Sequence, residues 1–228
     1  MNKKILSLVT ACVLSLGLLC ACGAAAQPEQ TAKTVTPDVP VTGTWTIPGG
    51  SSVEYRADGT YTDFSKKNRT GTYTFLDEMK GFRLAKLFDQ LEYVVCTSDK
   101  GKKAATGAVL QDLMIVYSEL DNKELYYVRG GRTAVDSADL IGTWIDVYDN
   151  ESKMEFTADG KLNAFDKTSA YTLGEEKDCG SSITVTDGDN QAVYAVLTYG
   201  DYLFLVRKDP SKLYLLVKES VVKNAMSQ

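Results

Sequence analysis

No histidine occurs anywhere in the chain. That absence removes Ser-His-Asp and Cys-His catalysis, and with them the common metal sites built on imidazole. Positive charge is also in short supply: 25 lysines and arginines face 30 aspartates and glutamates, a net charge of −5. An acidic chain is a poor match for nucleic acid, or for anionic lipid held by charge alone. No glycine-rich loop followed by Lys-Ser or Lys-Thr is present to cradle a phosphate, and the pairs Gly49–Gly50 and Gly130–Gly131 read as turns. The acidic clusters Asp146–Glu151 and Asp187–Asn190 lack the alternating oxygens around a tight glycine that a calcium loop needs. Neither a metal nor another cofactor is therefore expected. Paired carboxylates can hydrolyse glycosides, but nothing singles out one pair, and the expectation is a non-enzymatic protein.

Long apolar runs are missing too. A membrane-spanning helix needs ~20 apolar residues, and Ile5–Leu19 has 15, interrupted by Ser7, Thr10, Ser15 and Gly17. Behind Lys3 and Lys4 this stretch reads as the apolar region of a secretory signal. A buried helix is the other reading, but the stretch is uncapped and sits at the extreme terminus. It ends in "LCAC", Leu19–Cys22, which resembles the bacterial lipobox, with Cys20 at a position where smaller polar residues or Ala are commoner. The resemblance implies cleavage after Ala21 and a diacylglyceryl group on Cys22. The competing reading is ordinary cleavage near the following alanines, which gives a free secreted protein. The expected divisions are a signal peptide over 1–21 and a lipid-anchored flexible tether over 22–40, the latter without aromatics or a periodic apolar face. Loss of Lys3 and Lys4 with the signal moves the net charge from −5 to −7, so the anchor and not the charge supplies the membrane contact. Localisation follows: the cell membrane, on its extracytoplasmic face.

Cysteine is sparse, five in all, and processing leaves Cys22, Cys96 and Cys179. Cys96 and Cys179 do not occupy equivalent places in the chain's repetition. Two readings stand for them: a bridge joining the two halves, or two separate buried thiols.

What the chain does have is repetition. "VEYRADGTYTDF" at Val53–Phe64 returns as "MEFTADGKLNAF" at Met154–Phe165, and "TGTW" at Thr42–Trp45 returns as "IGTW" at Ile141–Trp144. Asp112–Arg129 aligns without gaps on Asp201–Lys218. Two long copies, 41–132 and 138–228, point to a duplicated domain and not to a solenoid of short units. Each copy reads as all-β. Val53 and Tyr55 share one strand face while Glu54 and Arg56 share the other, and Asp-Gly between such runs marks a hairpin. Counting runs between turns predicts eight strands per copy, in the second near 141–148, 152–157, 161–166, 169–174, 182–186, 191–198, 202–207 and 213–218. Eight sequential antiparallel strands close into an up-and-down barrel and so remove exposed edges. Short helical turns are expected at Leu84–Gln90 and at the C-terminus.

A Gly-x-Trp on the first strand and a basic residue near the end of the last resemble the lipocalin plan, in a compact form similar to domains of bacterial lipoproteins. The resemblance implies that a tryptophan closes the barrel floor under a late cation, Trp45 with Arg129 and Trp144 with Lys218. A β-sandwich, or a single barrel built from two sheets, is the alternative fold.

The last hairpin of each copy is apolar on both faces, "LMIVY" with "LYYV" and "YLFLV" with "LYLLV". A strand with one wet face alternates, so both faces here are expected to be covered, the outer one by the other domain. The alternative is an exposed patch that binds a partner. Thirteen tyrosines give a further lead. Tyr127, Tyr148, Tyr194 and Tyr214 fall on predicted strands, and so do Tyr55, Tyr61, Tyr73, Tyr93, Tyr171 and Tyr202, which are the candidates to line a ligand cavity. Their bland role is barrel filling. The functional expectation is a small apolar ligand held in a barrel; the alternative is a cell-surface protein-interaction or inhibitor module using loops and the apolar last hairpins.

Overall fold

The structure is a computed structural model that describes residues 32–33, 41–65, 68–77, 83–88, 90–130, 135–149, 151–176, 180–207 and 212–227. The expected signal peptide, Cys22, most of the tether and Cys179 lie outside these residues.

Ahead of the first copy lies β1 (Ala32–Lys33); the copy itself contributes β2 (Gly43–Thr46), β3 (Ser52–Tyr55), β4 (Thr60–Asp63), β5 (Arg69–Leu76), β6 (Glu92–Ser98), β7 (Lys103–Leu110), β8 (Leu113–Ser118) and β9 (Lys123–Arg129). The second contributes β10 (Gly142–Asp146), β11 (Lys153–Phe156), β12 (Lys161–Ala164), β13 (Lys167–Glu176), β14 (Gly180–Asp187), β15 (Asn190–Tyr199), β16 (Tyr202–Arg207) and β17 (Lys212–Lys218). Each copy is an antiparallel up-and-down barrel of eight strands, closed by β2 on β9 and β10 on β17. The β-sandwich alternative is thereby excluded.

The stretch expected to be a flexible tether holds one paired element. β5 runs past the end of β4, and β1 fills the free edge, Ala32 opposite Leu76 and Lys33 opposite Phe75. The helical turn foreseen after Leu84 is a short 3-10 segment, Leu84–Lys86, and the C-terminus forms a helix over Glu219–Met226. A one-turn helix at Ser137–Leu140 was not foreseen; Asp136 caps it by accepting from the Ala138 amide.

The repeated "ADG" solves the same turn twice. Glycine alone takes the left-handed backbone there, at φ +82° for Gly59 and +76° for Gly160. This is a type I turn closed by a glycine bulge, a three-residue loop and not the two-residue turn that Asp-Gly most simply suggests. A tyrosine from the next-but-one strand clasps each turn. The Tyr73 and Tyr171 amides donate to the Gly59 and Gly160 carbonyls, at 2.8 Å in both, and their hydroxyls donate to the carbonyls of Arg56 (2.6 Å) and Thr157 (3.0 Å).

Three large cores result. One fills each barrel, around Trp45, Tyr55 and Tyr73 in the first and around Trp144, Phe156 and Leu205 in the second. The third lies between the barrels. It joins Leu113, Ile115, Tyr126 and Val128 of the first last-hairpin to Phe204, Val206, Leu213 and Leu215 of the second. The doubly apolar strands therefore face each other, as their pattern implies. The first copy adds Leu84 and Phe88 from its longer β5–β6 connection, and Phe88 meets the rings of Tyr199 (5.5 Å) and Tyr202 (4.9 Å) edge-on.

Candidate functional site

The two ends of each barrel differ in chemistry. At the closed end Trp45 and Trp144 are fully buried, and each indole N–H donates to the carbonyl four residues earlier, Val41 (2.7 Å) and Leu140 (2.8 Å). The cation follows from strand register, since Trp45 pairs with Arg129 and Trp144 with Lys218. The Arg129 guanidinium lies 4.2 Å from the Trp45 ring and the Lys218 ammonium 5.7 Å from the Trp144 ring. Each cation also meets the aspartate that opens the penultimate strand, Arg129 with Asp112 at 3.2 Å and Lys218 with Asp201 at 4.0 Å. Arg129 further donates to the carbonyls of Thr42 and Gln111. This end is a hydrogen-bonded floor.

The first barrel is filled by rings. Tyr55, Tyr61, Tyr73 and Tyr127 occupy it, and the Tyr55 ring stacks on Tyr61 and meets Tyr73 edge-on. Cys96 is a free thiol buried among them, 3.4 Å from the Tyr55 hydroxyl. Its partner in the bridge reading, Cys179, lies outside the described residues. Burial pushes the Cys96 thiol up to about 11, and pushes the Tyr61 and Tyr73 phenols up to about 12. All three are neutral near pH 7, so the thiol is inert. At the open end Arg69 lies between Asp63 (2.7 Å) and Asp121 (3.6 Å), and Ser118 donates to Asp121. The space left, lined by Tyr55 and Tyr61 among others, is ≈70 Å³.

The second barrel repeats the frame with smaller and less acidic contents. Where the first has Tyr55, Tyr61 and Tyr127, the second has Phe156, Leu162 and Leu216; where the first has Asp63 and Ser118, it has Ala164 and Arg207. A cavity of ≈140 Å³ opens as a result. Met154, Phe156, Leu162, Ile183, Val185 and Leu205 form its apolar walls, and Tyr194, Tyr214, Phe165 and Lys167 surround its mouth. Among the described residues, no carboxylate lines it. Burial raises the Tyr194 phenol, opposed in part by Arg207 and Lys212.

The six tyrosine candidates separate by face. Tyr55 and Tyr61 line the small space in the first barrel, while Tyr73 and Tyr171 are packed core residues, Tyr171 edge-on to Phe156 at 5.2 Å. Two point the other way. Tyr93 packs with Leu76 and Ala108, while its strand neighbours Val94 and Cys96 face the barrel core. Tyr202 belongs to the layer between barrels, against Phe88. Neither lines a barrel, because both sit on strands apolar on two faces, where alternation does not mark the inner one. The tyrosines that do line the larger cavity, Tyr194 and Tyr214, were on predicted strands but not among the candidates. Parity along β17 identifies Tyr214 once Leu216 is known to face inward, and Tyr194 on β15 follows because its partner Arg207 shares a face with inward Leu205. No family model matches the chain, and no curated protein or solved structure matches it either.

Proposed function

We propose that the protein is a membrane-anchored extracytoplasmic lipoprotein, acylated on Cys22, that binds a small apolar ligand without transforming it, and that the second barrel is the binding site. The observation that carries the proposal is the ≈140 Å³ apolar cavity in a barrel whose twin is filled by tyrosines. A dry apolar space of about 150 Å³ holds one benzene-sized ring, which sets the scale of the ligand. The anchor rests on the "LCAC" sequence, and the lipocalin-like reading is supported by the closed eight-stranded barrels with a tryptophan–cation floor. The first barrel then serves as a packed platform. The apolar last hairpins are occupied by the contact between barrels, which argues against their use as a surface for another protein.

Native mass spectra of the chain from Gly23 onward, with and without an extract of small apolar compounds, test the site. A mass increment that disappears on denaturation is expected, and it should be absent from Leu162→Tyr, which restores the bulk of the first barrel. A bare mass under all conditions overturns the proposal. For the anchor, Cys22→Ser should release the protein from the membrane fraction; retention there counts against acylation.

A further inference from the structure

Two basic residues, Arg207 and Lys212, stand at the mouth of the second barrel of an acidic protein. Tyr194 lines the cavity, and Arg207 is its direct cross-strand partner; Lys212 is in turn the partner of Arg207. Directly opposed residues share a sheet face, so both cations stand on the inner face, one layer above Leu205 and Tyr214. Their heads lie against the ring walls: the Lys212 ammonium is 4.2 Å from the Tyr214 centroid and the Arg207 guanidinium 5.8 Å from that of Tyr194. Lys167 stands across the opening, 3.5 Å from Asp187. Among the described residues, no carboxylate pairs with Arg207 or Lys212. The first barrel shows the contrast. There Arg69 is held between two aspartates, and the place of Asp63 is taken in the second barrel by Ala164.

A second feature marks the same opening. Phe165 and Asp166 form the two-residue turn between β12 and β13, at φ +53° and +60°. Asparagine and glycine suit such a turn, and a bulky residue there is strained. Phe165 is nonetheless held there, 55 % exposed, with its ring 6.1 Å from Tyr214 at the edge of the cavity. The strained backbone carries an apolar ring to the mouth.

We infer that the second barrel takes a small anionic amphiphile, a ring-sized or short-chain apolar group bearing a carboxylate. The apolar end fills the space between Phe156, Ile183 and Leu205, and the carboxylate is received by Arg207 and Lys212 at the mouth. This rests on the apolar site proposed above and adds the charge and size of its ligand. The cavity is too small for a long acyl chain and suits one ring. Arg207 supplies a planar fork that matches a carboxylate.

Phenylacetate and toluene, the acid and a neutral relative of similar bulk, separate the two levels of the proposal. Their binding to the unlipidated chain is read by titration calorimetry and by ligand-observed NMR. Phenylacetate should bind at least about tenfold more tightly than toluene, the scale of a charge-assisted hydrogen bond. Arg207→Gln combined with Lys212→Gln should lose about that factor for phenylacetate and leave toluene unchanged. Lys161→Gln, an exposed cation paired with Asp159, should change neither and controls for net charge. Circular dichroism of each variant reports folding independently. Equal binding of the two probes, or phenylacetate binding indifferent to the double substitution, overturns the inference and leaves an apolar site. Binding of neither probe by a folded protein overturns the inference together with the site.

Discussion

Arg129 reaches the Trp45 ring, the Asp112 carboxylate and two backbone carbonyls at once, whereas Lys218 in the second barrel holds the same ring and acid at longer range. A cation over an indole contributes about 0.5–2 kcal/mol depending on exposure, and hydrogen bonds from a charged donor contribute about 1.5–3 kcal/mol. Arg129→Ala should therefore cost about 2–4 kcal/mol in urea unfolding and Lys218→Ala about 1 kcal/mol. Equal costs would show that the extra donors of the guanidinium are immaterial. The pairing itself was expected from the resemblance to the lipocalin plan, which the Gly-x-Trp and the late cation of each copy carry. The tyrosines were not legible in the same way. A one-residue change of register turns every side chain to the other face, and in runs such as "YVVC" (Tyr93–Cys96) and "YLFLV" no charged or polar position records which face is inside. Tyr93 and Tyr202 were assigned inward for that reason and face outward.

At the scale of elements, turn chemistry located nearly every hairpin, and the strands ended within a few residues of the predicted places. What it could not supply was the tertiary role of connections. The β5–β6 connection of the first copy is longer than its β13–β14 counterpart and delivers Leu84 and Phe88 to the layer between barrels. The C-terminal helix is a second case. Glu219, in its first turn, meets Lys153 of β11 at 2.8 Å and Lys223 of its own helix at 2.7 Å. Hydrogen bonds from these two lysines pull the carboxyl from an ordinary 4.5 down to about 2. Because the folded value lies below the unfolded one, this clamp contributes above about pH 4.5 and is lost as the pH falls toward 2. Thermal midpoints of the wild type and Glu219→Gln should differ at neutral pH and converge across that window. A gap that stays constant down to pH 2 would rule the clamp out.

The whole molecule is two barrels made one by an apolar layer that neither barrel could leave wet. Phe88 reaches that layer from the β5–β6 connection, outside its own barrel's strands, and it packs on three rings of the second copy. Truncating a buried phenylalanine costs about 3–5 kcal/mol. Phe88→Ala should split a single calorimetric transition into two, and Phe88→Asp should in addition enlarge the radius of gyration seen in solution scattering. One unaltered transition in both variants would show that the barrels are coupled by something other than this layer. A last consequence concerns height above the bilayer. With Cys22 as the proposed anchor, the leash ends where β1 is stitched to β5, at Ala32, and not at Val41 where the barrel proper begins. An extended chain covers about 3.5 Å per residue, so the ceiling drops from about 65 Å to about 35 Å. Under the proposed anchoring the pair of barrels would be moored close to the lipid surface, and a ligand leaving the bilayer would have only a short aqueous gap to cross.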